Sequence, residues 1–265
     1  MIKNNVRNSI KIIVAVTFVL MVVVNALANI LPINGINTGQ ISDSYFNLFA
    51  PAGITFSIWG VIYLLLAAYT LYQMGLFQDK SAAPKGKLLE KIGVVFSISS
   101  LANTVWIFSW HYKYIIFSFL LMLVILACLI YINRLIMAEK LEQREKLLVA
   151  LPFSVYFGWI TVATIANATV LLVSLGWNRF GISEAIWTIV ILLVGMLIGS
   201  VTLFRNRDFA YGLVLIWAYV GILIKHTSAD GFANMYPSVV IAVVISLAVF
   251  VLVELYVLFG KRNEK

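Results

Sequence analysis

Apolar residues along this chain come in long unbroken runs, not at alternating positions. Eight runs stand out, near residues 10–31, 54–76, 92–110, 114–136, 147–172, 185–204, 209–226 and 236–259. A helix needs about 20 apolar residues to cross the hydrocarbon of a bilayer. Each run is therefore long enough to span, the seventh being short. The ten-residue alternation of a membrane barrel is absent from the sequence. Prolines fall at the borders: Pro32 ends the first run, Pro51 precedes the second, Pro84 lies in a loop, Pro152 falls in the first turns of the fifth and Pro237 opens the eighth. There the fixed φ and missing N–H do least harm. Asn206 and Arg207 mark a tight turn between the sixth and seventh runs. The pattern predicts an all-α, polytopic transmembrane helix bundle of about eight spans.

Composition narrows the class. Of 265 residues, 62% are hydrophobic and 11% charged, against roughly 25% charged in an ordinary soluble domain. A cytosolic enzyme, a disordered regulator and a secreted disulfide scaffold are excluded, since each must clothe itself in polar groups. The net charge of +8 is explained by position. Lys3, Arg7 and Lys11 precede or open the first run. Lys80, Lys85, Lys87 and Lys91 follow the second, and Arg134, Lys140, Arg144 and Lys146 end or follow the fourth. Arg205 and Arg207 follow the sixth, and Lys261, Arg262 and Lys265 the eighth. Only Lys113, Arg179 and Lys225 fall on the opposite side. This asymmetry predicts that both termini are cytoplasmic, in agreement with an even number of spans. Short dispersed basic loops of this kind do not point to nucleic acid; the charge is an orientation device, with some affinity for anionic lipid as a secondary expectation. The single cysteine, Cys128, lies within an apolar run and has no partner in the chain for a disulfide. A competing reading of the first run is a signal peptide, with a basic start, the stretch Ile12–Val24 and an Ala26-Leu27-Ala28 cleavage site. The apolar residues continuing to Leu31, and the charge alternation, favour a retained helix. Compact loops and the lack of an evident organelle signal make the bacterial plasma membrane the default location.

Candidate chemistry concentrates near the sparsely charged ends of the spans. Residues 32–53 form the largest loop on that side, with no Lys or Arg and one acid, Asp43; an ordered cap and a flexible connection both fit. Phe56, Trp59 and Tyr63 share one helix face by their i, i+3, i+7 spacing. Asn103, Trp106 and Trp110 repeat it. Tyr156, Trp159, Ala163 and Asn167 form a stripe in the fifth span, and Asn25 and Asn29 lie one turn apart in the first. At 1.5 Å per residue, Asn25, Asn29, Trp59, Asn103, Trp106 and Asn167 all fall within roughly 10 Å of the outer helix ends. Amides in hydrocarbon need partners, and a polar-aromatic pocket in the outer half would supply them. The competing explanation is an interfacial aromatic belt, sufficient for Trp110, Trp177 and Trp187, with asparagines as interhelical glue. Trp159 and Trp217 lie deeper than a belt requires. His111 and His226 sit at outer helix ends without metal-ligand spacing. Glu254 is the acid set well inside a span, within partial reach of the inner surface. Gly195 and Gly199 form a GxxxG pair suited to close packing or a homodimer. No phosphate-cradling glycine loop, HExxH or catalytic pair stands out.

Three segments resemble the tryptophan-rich sensory protein family, also called the translocator or peripheral benzodiazepine-receptor (TspO/MBR) family. Residues 51–63 keep a proline, aromatics and the Trp59-Gly60-Val61-Ile62-Tyr63 spacing of that family's second helix. Residues 101–110 keep its N-x-x-W as Asn103-Thr104-Val105-Trp106. Residues 152–169 place Trp159 eight residues before Asn167, as its fifth helix does. The departures are a Phe56–Trp59 interval one residue short, a longer stretch from Pro152 to Trp159, and Ala50-Pro51-Ala52-Gly53 where the family has a double proline and Trp. The match covers residues 1–173, a five-helix region, leaving residues 174–265 as three additional spans and the chain as an extended, divergent relative.

The resemblance implies a pocket closed by the first loop that takes porphyrins, sterols or similar flat apolar ligands, with haem or another porphyrin as ligand, not as a certain cofactor. Asn25, Asn29, Pro51, Phe56, Trp59, Tyr63, Asn103, Trp106, Trp159 and Asn167 are the expected ligand-binding residues; no catalytic or metal residue is expected. The expected role is binding, sensing or transport of a hydrophobic small molecule, with a small-solute permease or a membrane enzyme acting on a tetrapyrrole as alternatives.

Overall fold

A computed structural model describes residues 6–30, 33–78 and 85–260. The borders assigned to Pro32 and Pro84, and the basic residues Lys3, Lys80, Lys261, Arg262 and Lys265, lie outside the described residues. Among the described residues there is no strand, and eight helical segments have membrane length and composition. The helices are α1 (Asn8–Ile30), α2 (Ile58–Gln73), α3 (Gly86–His111), α4 (Ile115–Met137), α5 (Leu151–Ser174), α6 (Glu184–Asn206), α7 (Phe209–Thr227) and α8 (Pro237–Gly260). The protein is an all-α, polytopic membrane protein.

Each run of apolar sequence became a helix, and the deviations lie at the ends. Helix α3 starts at Gly86, well before its apolar run, because Lys87, Glu90 and Lys91 continue a helix readily while their polar ends reach water. The second span opens with a 3-10 turn, Gly53–Ser57, following Pro51. The fifth opens with a π-helical turn, Lys146–Ala150. Pro152 lacks the N–H for a normal helical bond, and its ring would crowd the carbonyl four residues back, so the preceding turn widens. Between α6 and α7 the turn residue Arg207 is left-handed, with φ of 49°, and Asp208 caps α7 by accepting from the Tyr211 amide at 3.2 Å.

The chain forms two compact units. The first comprises Met1–Thr38 and Trp59–Phe157, the second Gly39–Ile58 and Gly158–Lys265.

In the first unit α3 packs against α1 and α4. Its core is an aromatic cluster: Tyr69, Phe96 and Phe153 meet edge to face, with centroids 4.7–5.4 Å apart, and all three are buried. Gly93 permits close approach, since a Cβ there would stand 2.6 Å from Gln73 Nε2 and 3.0 Å from Ile10 Cγ2.

In the second unit α6, α7 and α8 pack on one another. Tyr219 lies edge to face with Phe250 at 5.0 Å and donates its hydroxyl to the Leu192 carbonyl at 2.8 Å. Gly195 and Gly199, the GxxxG pair, face Tyr219 Oη and Leu215 Cδ1, which a Cβ would approach to 2.6 Å in both cases. Both glycines thus serve packing within the chain. Glu254 does not reach the surface. It is 4% exposed and pressed against Gly212, and neither carboxylate oxygen has a hydrogen-bond partner.

Candidate functional site

Of the ten residues singled out in the sequence, six lie in the first unit and four in the second. In the first unit, Asn25 and Asn103 are buried on facing helices, α1 and α3. Asn25 Nδ2 donates to Asn103 Oδ1 at 2.7 Å and to the Met21 carbonyl at 2.9 Å. Asn103 Nδ2 in turn donates to the Tyr156 hydroxyl at 3.2 Å. Asn103 and Tyr156 are fully buried. The result is a polar chain from α1 through α3 to α5, each member supplied with the partner that hydrocarbon denies it.

Aromatic rings adjoin this chain. Trp59 stacks on Tyr63 with centroids 5.5 Å apart and planes 21° apart, one helical turn along α2. It also packs on Trp106 at 6.3 Å and edge-on to Tyr156 at 6.1 Å. Trp106 continues the array by stacking on Trp110 at 5.8 Å. Two donors inside the array are unsatisfied: Tyr63 Oη and Trp106 Nε1 are both buried and have no hydrogen-bond partner. A buried donor without an acceptor costs about 1–3 kcal/mol, so such a pair calls for a reason.

Asn29 stands apart from this cluster. Its side chain is exposed and donates back to the Asn25 carbonyl at 2.9 Å, near the end of α1.

Trp110, His111 and Tyr156 belong with the cluster although the sequence did not single them out as site residues. An interfacial belt does not account for Trp110, which is 4% exposed; its indole N–H donates to the Thr38 carbonyl at 3.1 Å. His111 is fully buried: Nδ1 donates to the Ile33 carbonyl at 3.0 Å, and Nε2 lies 3.2 Å from Thr38 Oγ1. The end of α3 thereby fixes the start of the large loop. The spacing N-x-x-W-x-x-x-W-H was the available signal, since it continues one face of α3 past Trp106.

In the second unit Pro51 precedes the 3-10 turn and Phe56 lies within it. Pro51 is buried. Phe56 meets Trp159 edge to face at 5.9 Å, and Asn167, on the same helix as Trp159, is 2% exposed. The turn itself is seated on α7: Ala52 N donates to the Gly221 carbonyl at 2.9 Å, Trp217 Nε1 donates to the Thr55 carbonyl at 3.0 Å, and the Thr55 side chain fits against Gly221. His226 is fully buried and donates from Nε2 to the Leu48 carbonyl at 2.9 Å. Lys225 pairs with Asp43 at 3.1 Å. With Ile41, Leu48 and Phe49 also buried, the part of the large loop within the second unit is packed onto that unit instead of being a free connection.

No group of three or more His, Cys, Asp or Glu is placed to hold a metal among the described residues. No curated protein and no solved structure matches the chain. The family model for TSPO-like protein matches residues 11–256, which takes in α1 through nearly all of α8 and runs past residue 173. With the Asn-x-x-Trp pair of α3 beside the Trp–Tyr pair of α2 and that match across nearly its whole length, the chain belongs to the TSPO-like protein family.

Proposed function

We propose that the aromatic and amide cluster of the first unit binds a flat hydrophobic ligand carrying hydrogen-bond acceptors, of the porphyrin or sterol class. The observation that carries the reading is the pair of unsatisfied buried donors, Tyr63 Oη and Trp106 Nε1, within a set of parallel and edge-on rings. Ring faces suit a flat apolar body. The two donors suit carboxylate, carbonyl or hydroxyl oxygens at its edge. Asn25, Asn103 and Tyr156 hold each other and orient the cluster instead of meeting the ligand first. The basic helix ends face the cytoplasm in this reading, which puts the cluster in the outer half of the membrane. The residues ask for no bond-making chemistry, so the role is binding, sensing or transport in a bacterial plasma membrane.

The test is titration of the purified protein with a porphyrin, followed by Trp fluorescence. Saturable quenching that weakens several-fold to about tenfold in Trp59→Ala is expected, because one aromatic pair is worth about 0.5–1.5 kcal/mol beyond the area it buries. Weak, unsaturable quenching that is the same in wild type, Trp59→Ala and Trp106→Phe would overturn the reading. Cysteine accessibility from either side of the membrane at Lys113→Cys, in a Cys128→Ala background, checks the orientation: labelling from outside is expected.

A further inference from the structure

The first unit carries a concavity at its basic end, and none of its lining residues belongs to the aromatic cluster. Arg7, Lys87, Glu90, Lys91, Val94 and Tyr131, from the start of α1, the start of α3 and the end of α4, line a groove of about 380 Å³. Glu90 is already engaged, since it accepts from the Arg7 backbone amide at 2.8 Å and from Arg7 Nε at 3.2 Å. That pair neutralises Arg7 and ties down the first turn of α1. Lys87 and Lys91, one turn apart on α3 and both exposed, have no ion-pair partner among the described residues. The groove therefore keeps an excess positive charge. Following the same face of α3 by about 10 Å, its wall turns apolar at Val94, which is 47% exposed, with Tyr131 opposite at 50%. Cationic at the helix ends, apolar toward the hydrocarbon and edged by a phenol at the border, the groove repeats the layout of a phospholipid with a charged head.

We propose that this groove is a binding site for an anionic glycerophospholipid of the leaflet on the basic side. Its phosphate lies between Lys87 and Lys91, and the upper part of one acyl chain lies along Val94. Basic pockets between membrane helices favour anionic headgroups in this way. The apolar wall is what commits the site to a lipid over a free anion. Neither the charge asymmetry of the loops nor the ligand reading of the aromatic cluster requires it.

Native mass spectrometry of the full chain in non-ionic detergent tests the site, with palmitoyl-oleoyl phosphatidylglycerol, phosphatidylcholine of the same chains, and inorganic phosphate as probes. Retention of phosphatidylglycerol well above phosphatidylcholine is expected. Occupancy should fall about tenfold in Lys87→Gln/Lys91→Gln, but should change little in the charge control Lys113→Gln/Lys146→Gln. Val94→Asn, which keeps every charge, should also weaken phosphatidylglycerol retention. Equal retention of the two lipids, equal loss in the charge control, or unchanged retention in Val94→Asn would overturn the proposal. So would displacement of phosphatidylglycerol by millimolar inorganic phosphate. All five substituted positions are exposed, and thermal unfolding of each lipid-free variant separates lost binding from lost fold.

Discussion

The two units bring their helices together by opposite means. The first uses large side chains: Trp59, Tyr63, Trp106, Trp110 and Tyr156 meet ring against ring, threaded by Asn25 and Asn103. The second relies on glycines. Gly158, Gly195, Gly199, Gly212 and Gly221 each stand where a Cβ would come within 3.0 Å of a neighbouring residue. Gly93 is a comparable contact in the first unit. Both units leave buried polar atoms unpaired, but in different surroundings. In the second unit Thr55 Oγ1 and the Glu254 carboxylate are pressed onto the glycine positions Gly221 and Gly212, with no space beside them. In the first, Tyr63 Oη and Trp106 Nε1 lie among stacked rings. Close helix packing without hydrophobic drive favours small residues, which the second unit uses at five positions.

The most damaging way to break this contrast is at Gly221. Gly221→Val would push the Thr55 side chain off α7 and with it break the Ala52–Gly221 and Trp217–Thr55 hydrogen bonds. A loss of about 3 kcal/mol or more is expected, measured as unfolding in mixed micelles or failure to elute as a single species. Gly212→Ala should cost about 1–3 kcal/mol and be partly rescued by Glu254→Ala, which removes the atoms that the new methyl meets; absence of rescue would show that the two do not share that space.

Asn103→Leu probes the first unit. It strands the Asn25 amide and the Tyr156 hydroxyl, and should cost about 1–2 kcal/mol. Asn25→Leu/Asn103→Leu should cost less than the sum of the single changes, which a double-mutant cycle measures. Trp106→Phe is gentler: it deletes a donor that has no partner but also trims a buried ring, so stability should fall by no more than about 1.5 kcal/mol while porphyrin affinity falls several-fold. A loss well above that would mean that the indole N–H is not idle. The smallest effect is expected at Asp43→Asn. The Lys225–Asp43 pair has side chains 22% and 51% exposed, and such pairs contribute about 0–1 kcal/mol, screened by salt; thermal unfolding at low and high salt should scarcely distinguish the variant.

Much of the fold was legible because membrane helices obey a local rule. A bilayer forces each segment to pair its own backbone, so a long apolar run has one outcome, and the turn at Arg207 and the proline borders at Pro51 and Pro237 follow from local backbone chemistry. The site was partly legible. Asn103 and Trp106, and Trp59 and Tyr63, share faces by spacing alone, and the structure brings these four together with Asn25. Asn29 had the same local credentials and remains exposed, because one turn further along α1 the helix is at its end. Trp110 and His111 resembled interfacial residues until the loop at Ile33–Thr38 was found folded onto them.

By itself, the sequence determined that the chain crosses a membrane, roughly where each helix begins and ends, and which faces carry amides and indoles. Those properties depend on residues within a turn or two of one another and on the solvent outside. Only the tertiary structure decided that Asn25 pairs with Asn103, that Glu254 is sealed by Gly212 instead of reaching the surface, that the GxxxG glycines serve packing within the chain, and that Tyr63 and Trp106 keep unsatisfied donors. Each of these depends on which helix stands opposite, a choice made by packing between segments far apart in the chain.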